Sequence, residues 1–183
     1  MAFVQRTSIY DPTDIANVPW YLTNGNWFYA NGYYFPPPNG NCTWYAYGRY
    51  AEIRNAFANL PLGNAGTWYE NATAFNRGDF SQGADPQLGA IVCFKSLSGN
   101  YPGHLTIVEQ INSDGSIIVS NSGYQSTVTS NTYFWRARVY RSNQYREAWY
   151  TSGGRDYYCQ GFIYNDAVPY YKQMPLWFYL RRF

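Results

Sequence analysis

Apolar residues follow no period through the first forty positions. Pro12, Pro19, the Pro36-Pro37-Pro38-Asn39-Gly40 cluster and the Asn-Gly pairs at 24–25 and 31–32 interrupt them, which predicts extended segments and turns with little helix. From Cys42 the pattern changes. Ala46, Tyr50, Ile53 and Phe57 recur at intervals of four, three and four, an apolar stripe at helical period, with Asn41 as a favourable N-cap and Pro61 and Gly63 as a stop. The spacing predicts a helix from Cys42 to Leu60 and a shorter one within 64–78. Beyond Pro86, runs dense in Ile and Val at 89–95, 104–111 and 115–121 predict strands, with two more at 132–140 and 159–165 and a polar loop at 141–156. Asp114-Gly115 between the second and third runs is a hairpin signal. Helices first and antiparallel strands after define an α+β fold.

Composition narrows the class. The chain has 183 residues, enough for one domain with an appendage, and it is only 13% charged but 21% aromatic, a balance that favours a packed core over disorder. The first 20 residues carry neither a cationic leader nor an apolar core, and no apolar run approaches about 18 residues, so neither a signal peptide nor a membrane span is expected. Three cysteines at irregular spacing (Cys42, Cys93, Cys159) argue against a disulfide framework. The single histidine, His104, argues against a zinc hydrolase, whose ligands are drawn mostly from histidine. Residues 125–183 hold eight basic and three acidic side chains, against five and eight before them. A cationic surface around Arg136, Arg138, Arg141, Arg146 and Arg155 would attract an anionic polymer; scattered solvent-facing arginines explain the same count. No Lys/Arg cluster forms a nucleic-acid motif, so no nucleic-acid partner is expected.

Three residues could act together. Cys42 falls in the first turn of the predicted helix, where unpaired N–H groups and the positive end of the dipole favour an anion and should ease ionisation of the thiol. Taken alone, it fits a packed core cysteine as well as a nucleophile. His104 leaves the Tyr101-Pro102-Gly103 turn at the start of a strand, and Asn121 ends the next strand of the hairpin. An amide oxygen there can accept the imidazole N–H and fix its tautomer, so Cys42, His104 and Asn121 make a coherent nucleophile, base and orienter.

Four blocks, NCTWYAYGR at 41–49, PQLGAIVCF at 86–94, GHLTIVEQINSDGSIIVSNSGY at 103–124 and QGFIY at 160–164, resemble in order and spacing the CHAP family of cysteine, histidine-dependent amidohydrolases/peptidases. The resemblance implies a papain-like fold in which N-terminal helices, with the nucleophile cysteine at a helix start, pack on an antiparallel sheet. It divides the chain into an N-terminal extension (1–24), a catalytic domain (25–165) and an aromatic, basic tail (166–183). It implies cleavage of an amide bond of bacterial peptidoglycan, as endopeptidase or N-acetylmuramoyl-L-alanine amidase, without cofactor. The expected setting is a phage endolysin held in the host cytoplasm until holin-mediated release. A virion-associated lysin joined to phage tail proteins through the C-terminal tail, and a non-catalytic wall-binding protein on the same scaffold, are the alternatives.

Carried over by position, Cys42 is the nucleophile, His104 the base and Asn121 the orienter, where many members of the family have Glu. Asn41 is expected as a second oxyanion donor or as a plain helix cap. Trp44, Tyr45, Trp68, Tyr101 and Tyr124 could line the substrate groove, with packing in the core or its wall as the other reading of each, and Arg49 and Glu109 are expected to be structural. Some relatives bind calcium just before the cysteine, but NGYYFPPPNGN has no acid, so no metal is expected there.

Overall fold

The computed structural model describes residues 3–9, 18–34, 39–74, 80–123, 133–141, 150–152 and 155–169. Tyr124, Arg146 and residues 170–183 of the expected tail lie outside them. The first half contributes α1 (Trp27–Ala30), α2 (Cys42–Arg54) and α3 (Trp68–Ala74), with single 3-10 turns at Trp20–Leu22 and Ala65–Thr67. The second half is sheet: β1 (Gln82–Gly83), β2 (Ile91–Ser96), β3 (His104–Ile111), β4 (Ile117–Asn121), β5 (Trp135–Val139), β6 (Tyr150–Ser152) and β7 (Arg155–Ile163). The strands run β1-β7-β2-β3-β4-β5, with β6 added on β7, and every pairing is antiparallel.

Local chemistry explains the departures from the expected boundaries. Helix α2 ends six residues early because Asn55 takes the left-handed conformation (φ 52°) that closes a helix, and the stripe residue Phe57 is left 73% exposed. Asn26 caps α1, accepting from the Phe28 and Tyr29 amides, so a short helix forms where turns were expected. The Asp114-Gly115 hairpin forms as anticipated: Gly115 sits at φ 81°, and Ile111 pairs with Ile117.

A bulge interrupts the β3–β4 register between Val108 and Gln110. Glu109 there faces α2, as Leu105 and Ile107 do, while Val108 and Ile111 both pack on the other side of the sheet. Helix α2 lies across the first side, and all of its residues from Cys42 to Ala51 are buried. The 3-10 turn at Trp20–Leu22, α1 and residues 3–9 cover the faces of α2 that the sheet does not. The second side holds a separate apolar cluster of Val92, Phe94, Val108, Val119, Val139 and Phe162.

Candidate active site

Helix α2 presents its cysteine through a strong cap. Asn41 Oδ1 accepts from the Thr43 amide at 2.8 Å, the Trp44 amide at 3.2 Å and the Thr43 hydroxyl at 2.6 Å. The plain cap is therefore filled by the oxygen of Asn41, which leaves its Nδ2 as the side chain's only donor. Cys42 follows at once, buried against the sheet, where the backbone N–H of Leu105, the neighbour of His104, favours its thiolate form.

His104 opens β3 after a turn built on glycine. Gly103 has φ +87°, and a Cβ there would lie 2.4 Å from the Gly66 amide nitrogen and 2.6 Å from the Phe94 carbonyl oxygen. Asn121 closes β4. The bulge places it two residues out of step with His104, since Ile107 faces Ser120, yet both side chains project to the same side and meet with His104 Nε2 3.0 Å from Asn121 Oδ1. The amide oxygen can only accept, so the neutral ring carries its proton on Nε2 and its lone pair on Nδ1. Trp135, directly across from Asn121 on β5, lies nearly parallel to the imidazole at 6.4 Å between centroids, and Tyr157 approaches from β7 at 6.0 Å. Both His104 and Asn121 are fully buried.

Burial sets the protonation states. It pushes the Cys42 thiol up to about 11, against the N–H groups of Leu105, Cys42 itself and Thr43, which pull it down. This corrects the expectation of an easily ionised cysteine: desolvation of the thiolate outweighs the helix terminus. Burial likewise lowers His104 to about 4, while the bond to Asn121 favours the cation only in part. In the free protein the thiol of Cys42 and the imidazole of His104 are thus both neutral.

The sign of the linkage follows. Between pH 6.5 and 4 the unfolded chain takes up a proton on His104 that the folded chain excludes, so folding stability falls as pH falls across that window. At about 1.4 kcal/mol per unit of pKa this is about 3 kcal/mol. Urea unfolding at pH 7 and pH 4 should show the loss in the wild type and a correspondingly smaller one in His104→Gln. Equal losses in the two proteins would contradict the buried neutral histidine.

Three of the candidate groove residues belong to the core, which corrects the groove reading in favour of packing. Trp44 is buried, donates Nε1–H to the Leu22 carbonyl at 2.9 Å and packs on Tyr34 and Tyr133. Tyr45 is buried with its hydroxyl on Ser120 Oγ at 2.8 Å. Trp68 is buried against Phe28. Their rings are sealed because the sheet, α1, the turn at Trp20–Leu22 and residues 3–9 enclose α2, and α3 packs on β7 and β1. Tyr101 differs: it is 40% exposed, with the Arg155 guanidinium 4.1 Å above its ring. Trp135 and Tyr157 escaped the sequence analysis, since only the strand pairings bring them to His104.

Arg49 and Glu109 are structural, as expected. Arg49 Nε and Nη2 donate to Glu109 at 3.1 and 3.0 Å, and Nη1 donates to Glu52 at 2.7 Å. The Arg6 amide reaches Glu109 at 2.8 Å and its guanidinium pairs with Glu52. A pocket lined by Val4, Arg6, Ile9, Arg49 and Glu52 lies over this network and includes none of Cys42, His104 and Asn121. Among the described residues no group of three His, Cys, Asp or Glu side chains could hold a metal, and no helix is long and apolar enough to cross a membrane.

A capped helix with a cysteine at its start, packed on an antiparallel sheet whose strands bring His104 and Asn121 together, defines a papain-like α+β protein. The chain belongs to the CHAP domain family, whose profile matches residues 28–123, just over half of its length. It is similar to the N-acetylmuramoyl-L-alanine amidase sle1 of Staphylococcus epidermidis, 34% identical over 109 residues that make up 56% of this chain and 32% of the relative. It is also similar to the "Probable autolysin LDP" of Staphylococcus aureus, 40% identical over 85 residues covering 46% of this chain and 28% of the relative. A crystal structure of an N-acetylmuramoyl-L-alanine amidase from Staphylococcus aureus aligns with a TM-score of 0.44 at 27% identity, over 57% of this chain and 28% of that one. The chain thus spans about a third of the length of the curated relatives it matches.

Proposed function

We propose that the chain is a cysteine hydrolase of peptidoglycan, cutting an amide bond of the wall as an amidase or endopeptidase. The observation that carries the reading is the His104–Asn121 bond at 3.0 Å, with Cys42 at the start of a helix capped by Asn41. The named staphylococcal amidase and autolysin support the choice of substrate.

In the mechanism, Cys42 Sγ attacks the amide carbonyl carbon as its proton passes to His104 Nδ1. Asn121 holds the ring in the tautomer that leaves Nδ1 basic. A neutral resting pair fits this step, because the proton moves only as the new C–S bond forms. The oxyanion is met by the Cys42 backbone N–H, with Asn41 Nδ2 as the second donor. The imidazolium then returns its proton to the leaving amine, and water activated by His104 releases the acyl group from sulfur. Tyr101, exposed three residues before His104, is the groove residue we retain.

Digestion of purified Gram-positive peptidoglycans, with mass spectrometry of the products, tests the reading. New muramic acid lactyl carboxyls paired with free L-Ala amines identify an amidase; new termini within the stem or cross-bridge identify an endopeptidase. A protein that binds these walls and releases nothing is a wall-binding protein instead. The phage setting is carried by the sequence alone and has its own test: antibody detection in purified virions for a tail lysin, and in host cytoplasm before lysis for an endolysin.

A further inference from the structure

The orienting residue Asn121 sits between two buried serines, Ser120 and Ser122, and both are tied to the chain around Cys42. Tyr45, one helical turn after Cys42, donates its hydroxyl to Ser120 Oγ at 2.8 Å. Asn41, the residue before Cys42, donates its backbone N–H to Ser122 Oγ at 3.2 Å. The cysteine is thus held from both sides by the residues that flank its partner on β4.

The two ties are built differently, and each is reinforced. Ser120 passes its own proton to Glu109 Oε1 at 2.8 Å, so the hydroxyl cannot rotate away from Tyr45 without orphaning a buried carboxylate anchored by Arg49. Ser122 lies under Gly40, where a Cβ would come within 2.3 Å of Ser122 Oγ and where φ is +66°. A Cβ on Gly123, at φ +76°, would in turn lie 3.3 Å from the Gly40 carbonyl oxygen. Only glycine at position 40 lets the two chains approach this closely.

We infer that Ser120 and Ser122 form a two-point brace that fixes the distance between Cys42 and the His104–Asn121 pair, which makes them positioning residues for the proposed hydrolase. Neither touches the reacting atoms. Their effect passes through the placement of Asn121 relative to α2, where a shift of the order of 1 Å in a reacting group can cost up to about a hundredfold in rate. Ser120 fixes the strand against the helix body, and Ser122 fixes the loop that feeds the cysteine.

The test combines turnover with a readout that needs no wall substrate: alkylation of Cys42 by iodoacetamide at neutral pH, followed on the Cys42 peptide by mass spectrometry. Ser120→Ala and Ser122→Ala are each expected to lower kcat on soluble wall fragments by about tenfold at nearly constant KM, and to raise Cys42 alkylation at least about threefold as the buried thiol loosens. Unfolding would also lower turnover and expose Cys42, so the alkylation is read against Cys93, which is fully buried between the strands: loosening of the brace raises alkylation of Cys42 alone, whereas unfolding raises both. Tyr45→Phe removes the same bond from the helix side with the ring kept, and should add little on top of Ser120→Ala. It also carries the test should Ser120→Ala not fold. Ser116→Ala is the control, a buried serine at the far end of the same hairpin bonded to Asp114 at 2.6 Å, and should leave both readouts at wild-type values. Wild-type kcat and alkylation in Ser120→Ala, Ser122→Ala and Tyr45→Phe would overturn the brace. A wild type that cleaves no wall would sink the proposed function alone, and the alkylation rates would still decide the brace.

Discussion

His104→Gln is expected to lower kcat on wall fragments by about 10³- to 10⁴-fold while the protein stays folded. The substitution is chosen for what it keeps. Glutamine retains bulk between Trp135 and Tyr157 and an N–H that can reach Asn121 Oδ1, so the fully buried position is neither emptied nor left with an orphaned amide. It loses the lone pair that accepts the Cys42 proton. With the thiol held up at about 11 by burial, the thiolate fraction near neutrality is of the order of 10⁻⁴, so attack without a base is correspondingly rare. Asn121→Ala should cost less, about 10- to 100-fold, because it loosens the tautomer and the ring angle but leaves the base in place. Initial rates at saturating substrate, with circular dichroism to confirm folding, check both.

Glu109→Ala is expected to destabilise the fold by about 3–5 kcal/mol, the cost of stripping one partner from a buried ion pair. Glu109 is fully enclosed and accepts from Arg49, the Arg6 amide and Ser120. Its loss leaves the Arg49 guanidinium with Glu52 and the Val4 carbonyl, the latter at 2.5 Å, and leaves the Ser120 proton and the Arg6 amide without their acceptor. Burial works against the charge on Arg49, yet the bonds to Glu109 and Glu52 outweigh it and keep the guanidinium firmly protonated. Glu109→Gln, which preserves shape and an acceptor, should lose less. Urea unfolding midpoints at an unchanged m-value would show the difference; near-wild-type stability in Glu109→Ala would mean that water replaces the carboxylate at little cost.

The strand ends that carry His104 and Asn121 were legible because local signals fixed them. Tyr101-Pro102-Gly103 marks the start of β3 at His104, Asp114-Gly115 marks the hairpin, and the Ile/Val run ends at Asn121. Asn41 was legible as a cap for the same reason. What failed to show depended on residues far apart in sequence. The stripe on α2 predicts one buried face, but the turn at Trp20–Leu22, α1 and residues 3–9 enclose the rest, so Trp44 and Tyr45 became core instead of groove. The same enclosure turned a helix-terminal thiol, expected to ionise easily, into one raised by desolvation. The bulge at Glu109 and the pairing of Asn121 with Trp135 set which side chains surround His104, and neither register leaves a mark in composition or periodicity.

The central claim is that Cys42 is the nucleophile of amide hydrolysis. Its most direct test compares wild type and Cys42→Ala on the same purified peptidoglycan, following new amine termini with time. The expected result is release by the wild type and a rate at least about 10⁴-fold lower in Cys42→Ala, with both proteins binding the wall equally. Equal release by the two would contradict the claim and move the chemistry to another group.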